Sequence, residues 1–410
     1  MSFILRILII AFIALIIEFY FVKRVTGSIK KNFQRLSHKK LKRITLTILI
    51  FANLYLIIGL FYLIYSQFSQ RQIVFPPPLL LFDLLVQFPF WVFMVLVVQS
   101  ILFFLLLDIF SLILFLFFKR NKEKISLVLA KIRLALVLLF LVYVPIRTYY
   151  DYSTVSTRVV EYKKGGLPYE LDGFKIALIA DVQADRYTDE NRLNGYIKEV
   201  NNLNPDLVLI AGDVITSTPN FIDLAADALG KINSRYGVYS CVGDHDNWAY
   251  RGDTERSRRE ITEALLLKNV KMIDNDKLVI NVDTAKIGIT FITNTYVERI
   301  DNKTIDSLVN NNSNEDLRIF LTHQPRNFLI DYAYKSSYDL FLAGHTHGGQ
   351  LTFFFPFINL SPTLIETKYV KGDFRFGDML AIVNRGLGMS LAPIRYNSTP
   401  EVTLIILSTK

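Results

Sequence analysis

The chain has 410 residues, 51% of them hydrophobic, and a formal net charge of +9. Residues 1–150 carry eighteen Lys and Arg against four acidic residues, whereas residues 151–410 carry 28 against 33. Because the positive charge lies between long apolar runs, it indicates a membrane protein and excludes nucleic acid as the partner that explains it.

The first 150 residues contain four apolar stretches, each long enough to cross a bilayer as a helix, which takes about 20 residues. These predicted spans run over Phe3–Val22, Ile44–Tyr65, Pro89–Phe118 and Leu127–Ile146. Two acids inside them, Glu18 and Asp108, could mark a transport pathway, but we favour pairing with polar or basic groups on neighbouring helices. Since the spans lack broken helices and inverted repeats, a transporter is the least favoured function.

Loop charge predicts the orientation of these spans. The loop from Lys23 to Arg43 carries nine Lys and Arg and that from Lys119 to Lys124 carries four, whereas Ser66 to Phe88 contains only Arg71. Since positively charged loops stay in the cytoplasm, both termini and the chain beyond about residue 150 are predicted to be extracytoplasmic. We expect an integral protein of the bacterial plasma membrane, in contact with the lipid bilayer.

Residues 151–172 are predicted to be a linker and residues 173–410 an α/β domain, after a transmembrane region over residues 1–150. Strands are predicted at Lys175–Asp181, Asp206–Asp213, Gly237–Gly243, Ile287–Thr293, Arg318–Thr322, Asp339–Ala343, Met379–Val383 and Val402–Leu407. Helices are predicted at Asp189–Asn201, Phe221–Asn233 and Thr254–Leu267, the last capped by Asp253 or Thr254. Strands that alternate with helices predict a sheet covered on both faces.

Histidines and acids collect at the ends of these strands. Asp181 and Asp213 end the first two, and four of the five histidines lie in Gly243–Asp246, Thr322–Gln324 and Gly344–Gln350. Because the carboxyl ends of parallel strands meet at one edge of a sheet, these side chains should converge there. Each motif alone has a simpler explanation as a turn or a loop, but two histidines flanked by three glycines have no packing rationale.

The residue types indicate a site for two divalent metals, with about four protein ligands per ion and one carboxylate bridging ions roughly 3.5–4 Å apart. Imidazole and carboxylate ligands suit Zn, Mn or Fe. The candidate ligands are Asp181, Asp213, Asp244, His323, His345 and His347.

The ordered motifs resemble the calcineurin-like metallophosphoesterase superfamily, whose pattern is Asp-x-His, Gly-Asp-x-x-Asp, Gly-Asn-His-Asp/Glu, a lone His and Gly-His-x-His. Gly344–Gln350, followed by Arg385-Gly-Leu-Gly, Pro393-Ile-Arg395 and Pro400-Glu-Val-Thr, resembles its membrane-associated YkuE/YaeI-like branch. The resemblance implies a four-layer α/β/β/α sandwich and a hydrolase that cleaves phosphomonoesters or phosphodiesters with a hydroxide activated by two metals.

The resemblance also implies roles for single residues. One ion would be bound by Asp181, Asp213 and His347, with Gln183 beside it, and the other by Asp244, His323 and His345. Asp213 would bridge the ions. His245 would act catalytically, protonating the leaving oxygen or contacting the phosphate.

Three residues depart from the family pattern. Gln183 replaces a histidine, and its amide oxygen is a weaker ligand for Zn or Fe, so this ion could be loosely held or biased toward Mn or Mg. Asp244 replaces the usual Asn and adds a negative charge at the other ion. Thr216 replaces the last Asp of the second motif, a position that supports ligands rather than binding metal.

The apolar run Phe353–Ile358 is either ordinary core or a lip that faces an apolar substrate. A lip beside a membrane would suggest a lipid-linked or nucleotide-sugar phosphoester. Arg385 and Arg395 are candidate substrate contacts, although either could pair with surface acids. The alternative function is a non-catalytic metal- or phosphate-binding or sensor protein that lost one ion through Gln183.

Overall fold

The computed structural model describes residues 3–69, 80–250, 252–309 and 314–410. It contains two compact units, a helical unit of Met1–Tyr149 with Phe353–Leu360 and an α/β unit of Tyr150–Thr352 with Ser361–Lys410. Arg71, in the loop predicted between the second and third spans, lies outside the described residues.

Some helices of the helical unit are long and apolar enough to cross a membrane. They are α1 (Phe3–Asn32), α2 (His38–Ala52), α3 (Leu54–Ser69), α4 (Leu80–Phe82), α5 (Phe88–Phe117), which a π-helical turn joins to α4, and α6 (Lys122–Ser153). Among the described residues, Leu80–Phe117 and Lys119–Ser153 could each cross a membrane, and α2 with Leu54–Tyr62, bent by 53°, could make a third span. The four predicted spans are therefore not confirmed, whereas an apolar helical region is.

The two acids inside the predicted spans pair with neighbouring helices, as expected. Asp108 on α5 forms ion pairs with Arg24 on α1 and with Arg133 on α6, the latter at 2.5 Å. Glu18 accepts a hydrogen bond of 2.7 Å from Asn53 Nδ2. These partners compensate the cost of placing a carboxylate among apolar helices.

The apolar run after the last histidine motif forms a hairpin of β10 (Phe353–Phe355) and β11 (Ile358–Leu360) within the helical unit. The Gln99 side chain on α5 donates to the Phe354 carbonyl at 2.7 Å and accepts from its N–H at 3.0 Å. The rings of Phe103 and Phe354 pack with their centroids 5.5 Å apart. Phe357 at the turn is fully exposed. The hairpin thus packs against α5 but exposes its turn. It is neither entirely core nor an entirely exposed lip, the two alternatives considered from the sequence.

The α/β unit is built on two six-stranded sheets, ordered β1-β14-β2-β3-β4-β5 and β12-β13-β9-β8-β7-β6. The first contains β1 (Ser156–Lys164), β2 (Lys175–Ile179), β3 (Leu207–Ile210), β4 (Val238–Cys241), β5 (Val270–Ile273) and β14 (Glu401–Thr409). The second contains β6 (Asp276–Val282), β7 (Ala285–Ile292), β8 (Leu317–Thr322), β9 (Leu340–Ala343), β12 (Gly372–Phe376) and β13 (Met379–Val383). All eight predicted strands are present, and β1 lies inside the segment predicted as a linker.

The described residues of this unit also form five α-helices: α7 (Glu190–Asn202), α8 (Ile222–Leu229), α9 (Thr254–Leu267), α10 (Asn302–Val309) and α11 (Asn327–Lys335). One hydrophobic core joins side chains of both sheets, a second joins the first sheet to α7–α9, and a third joins the second sheet to α10 and α11. Strand β3 is buried on both faces, which explains its unbroken sequence Leu-Val-Leu-Ile. Asp253 caps α9 by accepting from Arg256 N at 3.0 Å.

Strands β2–β5 run parallel in the first sheet, as do β7, β8, β9 and β13 in the second. Parallel strands bring their carboxyl ends to one edge, and this places the histidine and aspartate motifs in adjacent loops. The α/β sandwich expected from the sequence is confirmed.

Candidate metal centre

Each candidate ligand follows the carboxyl end of a parallel strand. Asp181, Asp213 and Asp244 come shortly after β2, β3 and β4, and all three carboxylates are buried. His323 follows β8 directly and is also buried, and the segment after β9 carries His345 and His347. The predicted convergence of these residues is present in the structure.

One group of donors consists of Asp244, His323 and His345. His345 Nδ1 lies 3.0 Å from Asp244 Oδ2 and 3.3 Å from His323 Nε2. His323 Nε2 lies 3.4 Å from Asp244 Oδ2. One carboxylate oxygen and two ring nitrogens therefore face the same small volume, an arrangement suited to a divalent cation.

A second group consists of Asp181, Asp213 and again His323. His323 Nε2 lies 3.2 Å from Asp213 Oδ2, so this histidine joins the two groups. His347 Nε2 is 3.5 Å from Asp181 Oδ1, which places it beside this group rather than within it. The resemblance had assigned His347 to this ion and His323 to the other alone.

Gln183, the residue that departs from the family motif, is buried next to Asp213. Its Nε2 donates to Asp213 Oδ2 at 2.9 Å, while its Oε1 is buried and has no hydrogen-bond partner among the described residues. A buried amide oxygen without a partner is costly unless something else satisfies it. A cation bound at the second group would do so.

Burial and neighbouring charges shift the pKa values of carboxylates and histidines in the site. Burial, reinforced by Asp213, raises the pKa of Asp181 to about 6. Burial alone would raise the pKa of Asp244, but His323 and His345 lower it well below its usual range. Burial and the nearby Arg395 lower the pKa of His347, which keeps its ring neutral. Three buried carboxylates close together form a donor set whose negative charge a divalent cation would compensate.

The backbone of the site is strained. Asp181, Gln183, Asp213, His345 and His347 all have positive φ, between 48° and 72°. Non-glycine residues in the left-handed region cost on the order of 1–3 kcal/mol each, and such residues cluster at functional sites. The surrounding packing must therefore hold them in place.

Glycines give the loops the space they need to approach each other. A Cβ added at Gly243 would lie 2.2 Å from the Asp213 carboxylate, and one at Gly344 would lie 2.8 Å from the Asp181 carboxylate. A larger residue at either position would displace a candidate ligand. Both glycines thus leave room for a neighbouring carboxylate.

His245 belongs to neither donor group. Its backbone N–H donates to Asp213 Oδ1 at 2.8 Å, while its ring contacts the Thr216 carbonyl through Nδ1 and lies 3.2 Å from Ser390 Oγ through Nε2. Thr216 therefore orients His245 with its carbonyl oxygen, although its side chain offers no carboxylate. The ring is partly exposed.

The two arginines predicted as substrate contacts have other partners. Arg395 is fully buried, and its guanidinium donates to the backbone carbonyls of Arg385, Gly386, Gly388, His347 and Ser398. Arg395 therefore holds these backbone segments together and is inaccessible to a phosphate. The assignment of Arg395 to the substrate is wrong. Arg385 lies 3.1 Å from Glu401 and keeps about a third of its side chain exposed.

Three residues of the site were not singled out from the sequence. Asp246 accepts N–H groups of Gly243, Asp213 and Val214 at 2.7–3.0 Å. Gln324 donates to Asp244 Oδ2 at 2.7 Å, and Glu366 lies 3.1 Å from His345 Nε2. The first two adjoin motif histidines, a signal that could have found them, whereas nothing in the sequence around Glu366 marks it.

Residues 174–349 match the family model for calcineurin-like phosphoesterases. This segment of the chain is a calcineurin-like phosphoesterase domain. The match covers the segment from the start of β2 through the last histidine motif, which contains every candidate metal ligand. The expected enzyme class and family are confirmed.

Similar proteins place this metallophosphoesterase in the membrane-associated branch. The uncharacterized metallophosphoesterase YkuE of Bacillus subtilis is 28% identical over 63% of this chain and 87% of its own length. Phosphodiesterase YaeI of Escherichia coli is 26% identical over 62% of this chain and 87% of its own. A transmembrane protein with metallophosphoesterase domain from Danio rerio is 26% identical over 59% of this chain and 54% of its own.

Proposed function

We propose that the chain hydrolyses phosphomonoesters or phosphodiesters at a centre of two divalent metal ions. The observation that carries this is the pair of donor groups that meet at His323. Asp244, His323 and His345 would hold one ion. Asp181 and Asp213 would hold the other, with His347 and Gln183 beside them and Asp213 bridging.

The chemistry of the centre follows from charge. Two divalent ions would lower the pKa of a water molecule and neutralise the phosphoryl oxygens. Imidazole and carboxylate donors favour Mn, Fe or Zn, and the amide oxygen of Gln183 adds a preference for harder ions such as Mn or Mg. His245, outside both donor groups, would protonate the leaving oxygen or bind the phosphate.

Membrane anchoring and substrate class form the finer part of the proposal. The apolar helices would anchor the α/β domain on the extracytoplasmic side of a bacterial plasma membrane. The three hydrophobic cores support a four-layer α/β/β/α order for that domain. The exposed Phe357 and Ile358 of the hairpin support a lipid-linked or nucleotide-sugar phosphoester. Relatedness to a phosphodiesterase favours a diester.

The proposal is tested by metal analysis of the purified full-length chain together with hydrolysis of a bis-aryl phosphodiester. We expect two ions per chain, and turnover that a chelator removes and added Mn²⁺ restores. A non-catalytic binding protein is the second candidate, because Gln183 replaces a stronger ligand. One ion per chain with no hydrolysis of aryl monoesters or diesters would establish that second candidate.

Orientation is tested separately. Alkaline phosphatase fused after Lys410 is expected to be active, because that enzyme folds only outside the cytoplasm and the loop charges place the C-terminus there. A fluorescent protein that matures only in the cytoplasm is expected to stay dark in the same position. The opposite pair of results would contradict the extracytoplasmic assignment.

A further inference from the structure

His345 is contacted on both of its ring nitrogens. Nδ1 faces Asp244 Oδ2 at 3.0 Å and His323 at 3.3 Å, inside the first donor group. Nε2 faces Glu366 Oε1 at 3.1 Å, outside it. A neutral imidazole carries one N–H and one lone pair, so a carboxylate that accepts the N–H on one side leaves the lone pair on the other.

Glu366 is itself held in place by two further side chains. The Tyr296 hydroxyl donates to its Oε1 at 2.6 Å, and Arg326 forms an ion pair with the same oxygen. The Tyr296 backbone N–H also donates to Asp244 Oδ1 at 2.6 Å. One tyrosine therefore steadies both the carboxylate inside the donor group and the carboxylate behind the histidine.

These contacts close into a ring around the first donor group. Arg326 Nε donates to Gln324 Oε1 at 2.9 Å, and Gln324 Nε2 donates to Asp244 Oδ2 at 2.7 Å. The ring runs through Asp244, Gln324, Arg326, Glu366 and His345 and returns to Asp244. Each of these five residues contacts two others, so neither Asp244 nor His345 can rotate without breaking a contact of the ring.

We propose that Glu366, held by Tyr296 and Arg326, is a positioning residue that fixes the tautomer of His345 and presents its Nδ1 lone pair to the metal ion of the first donor group. This rests on the proposed metal-dependent function and adds a residue to it. Carboxylates behind ligating histidines set ring orientation and raise ligand basicity, and their loss typically costs about 10–100-fold in metal affinity.

The experiment measures the affinity of both ions by titrating metal-free full-length protein with Zn²⁺ against a competing chelator. Glu366→Ala is expected to weaken one of the two ions by about 10–100-fold and to leave the other unchanged. Glu366→Gln, whose amide oxygen still accepts the N–H, should recover part of the loss. Glu298→Ala removes a neighbouring surface acid that pairs with Arg258 instead, and should leave both affinities unchanged.

A purely structural role for Glu366 would lower the unfolding temperature of the metal-free protein and weaken both ions together, and that result would overturn the proposal. Tyr296→Phe, which removes the hydroxyl that donates to Glu366 and lies 3.4 Å from His345 Nε2, provides a second variant should Glu366→Ala fail to fold. It is expected to weaken the same single ion by a few-fold. If wild type binds no ion, the proposed function fails; if it binds two and both variants bind them equally well, this inference alone fails.

Discussion

Replacing His245 with alanine is expected to lower kcat by about 10²–10⁴-fold, the usual contribution of a general acid, while two metal ions remain bound. The ring of His245 lies outside both donor groups, so its loss removes no ligand. The loss should be largest for an alkyl phosphodiester, whose leaving oxygen needs a proton, and smaller for a nitrophenyl ester, whose leaving group departs as an anion. Initial rates on both substrates, with metal content measured on the same samples, check this.

His38→Ala is the matched control, because His38 is an exposed histidine at the start of α2. It should leave rates and metal content unchanged. Loss of an ion in His245→Ala would show that His245 contributes to metal binding instead. Equal losses for alkyl and nitrophenyl esters would favour phosphate contact over proton transfer.

Replacing Asp213 with asparagine is expected to remove most of the metal and to reduce turnover to background. The Asp213 carboxylate contacts His323, the histidine common to both donor groups, and also accepts from Gln183. Asparagine keeps the shape and one acceptor oxygen but removes the charge that a bridging ligand supplies. Metal content after dialysis against a fixed free Mn²⁺ concentration measures the effect.

Asp206→Asn is the control for this change. Asp206 lies at the other end of β3, where its carboxylate accepts the N–H of Lys175 at 2.8 Å. Its replacement should leave metal content as in wild type. Retention of one tightly bound ion in Asp213→Asn would argue against bridging by this residue.

The site was largely predictable because its candidate ligands lie shortly after buried parallel strands in the sequence. Strand sequences such as Leu-Val-Leu-Ile before Asp213 identify a buried parallel strand, and topology brings the ends of such strands together. This rule concerns residues close to strands in sequence. It therefore located Asp181, Asp244 and the histidines, without reference to the side chains that surround them.

Side chains whose role depends on distant partners were missed or misassigned. Arg395 could equally have contacted a phosphate, and only the folded loop shows its guanidinium occupied by backbone carbonyls. Glu366 stands in a segment without a motif and meets His345 through the fold alone. Strand β1 alternates exposed and buried residues and pairs with the last strand of the chain, a partner more than two hundred residues away.

The hairpin Phe353–Leu360 has a practical consequence for dissecting this protein. A fragment that starts near residue 150 would keep the hairpin but lose Gln99 and Phe103, its partners on α5. Without these partners, the aromatic side chains and strand edge of the hairpin would be exposed, and this would promote aggregation. A soluble catalytic fragment therefore needs a second cut, with residues 353–360 exchanged for a short Gly-Ser connection between Thr352 and Ser361.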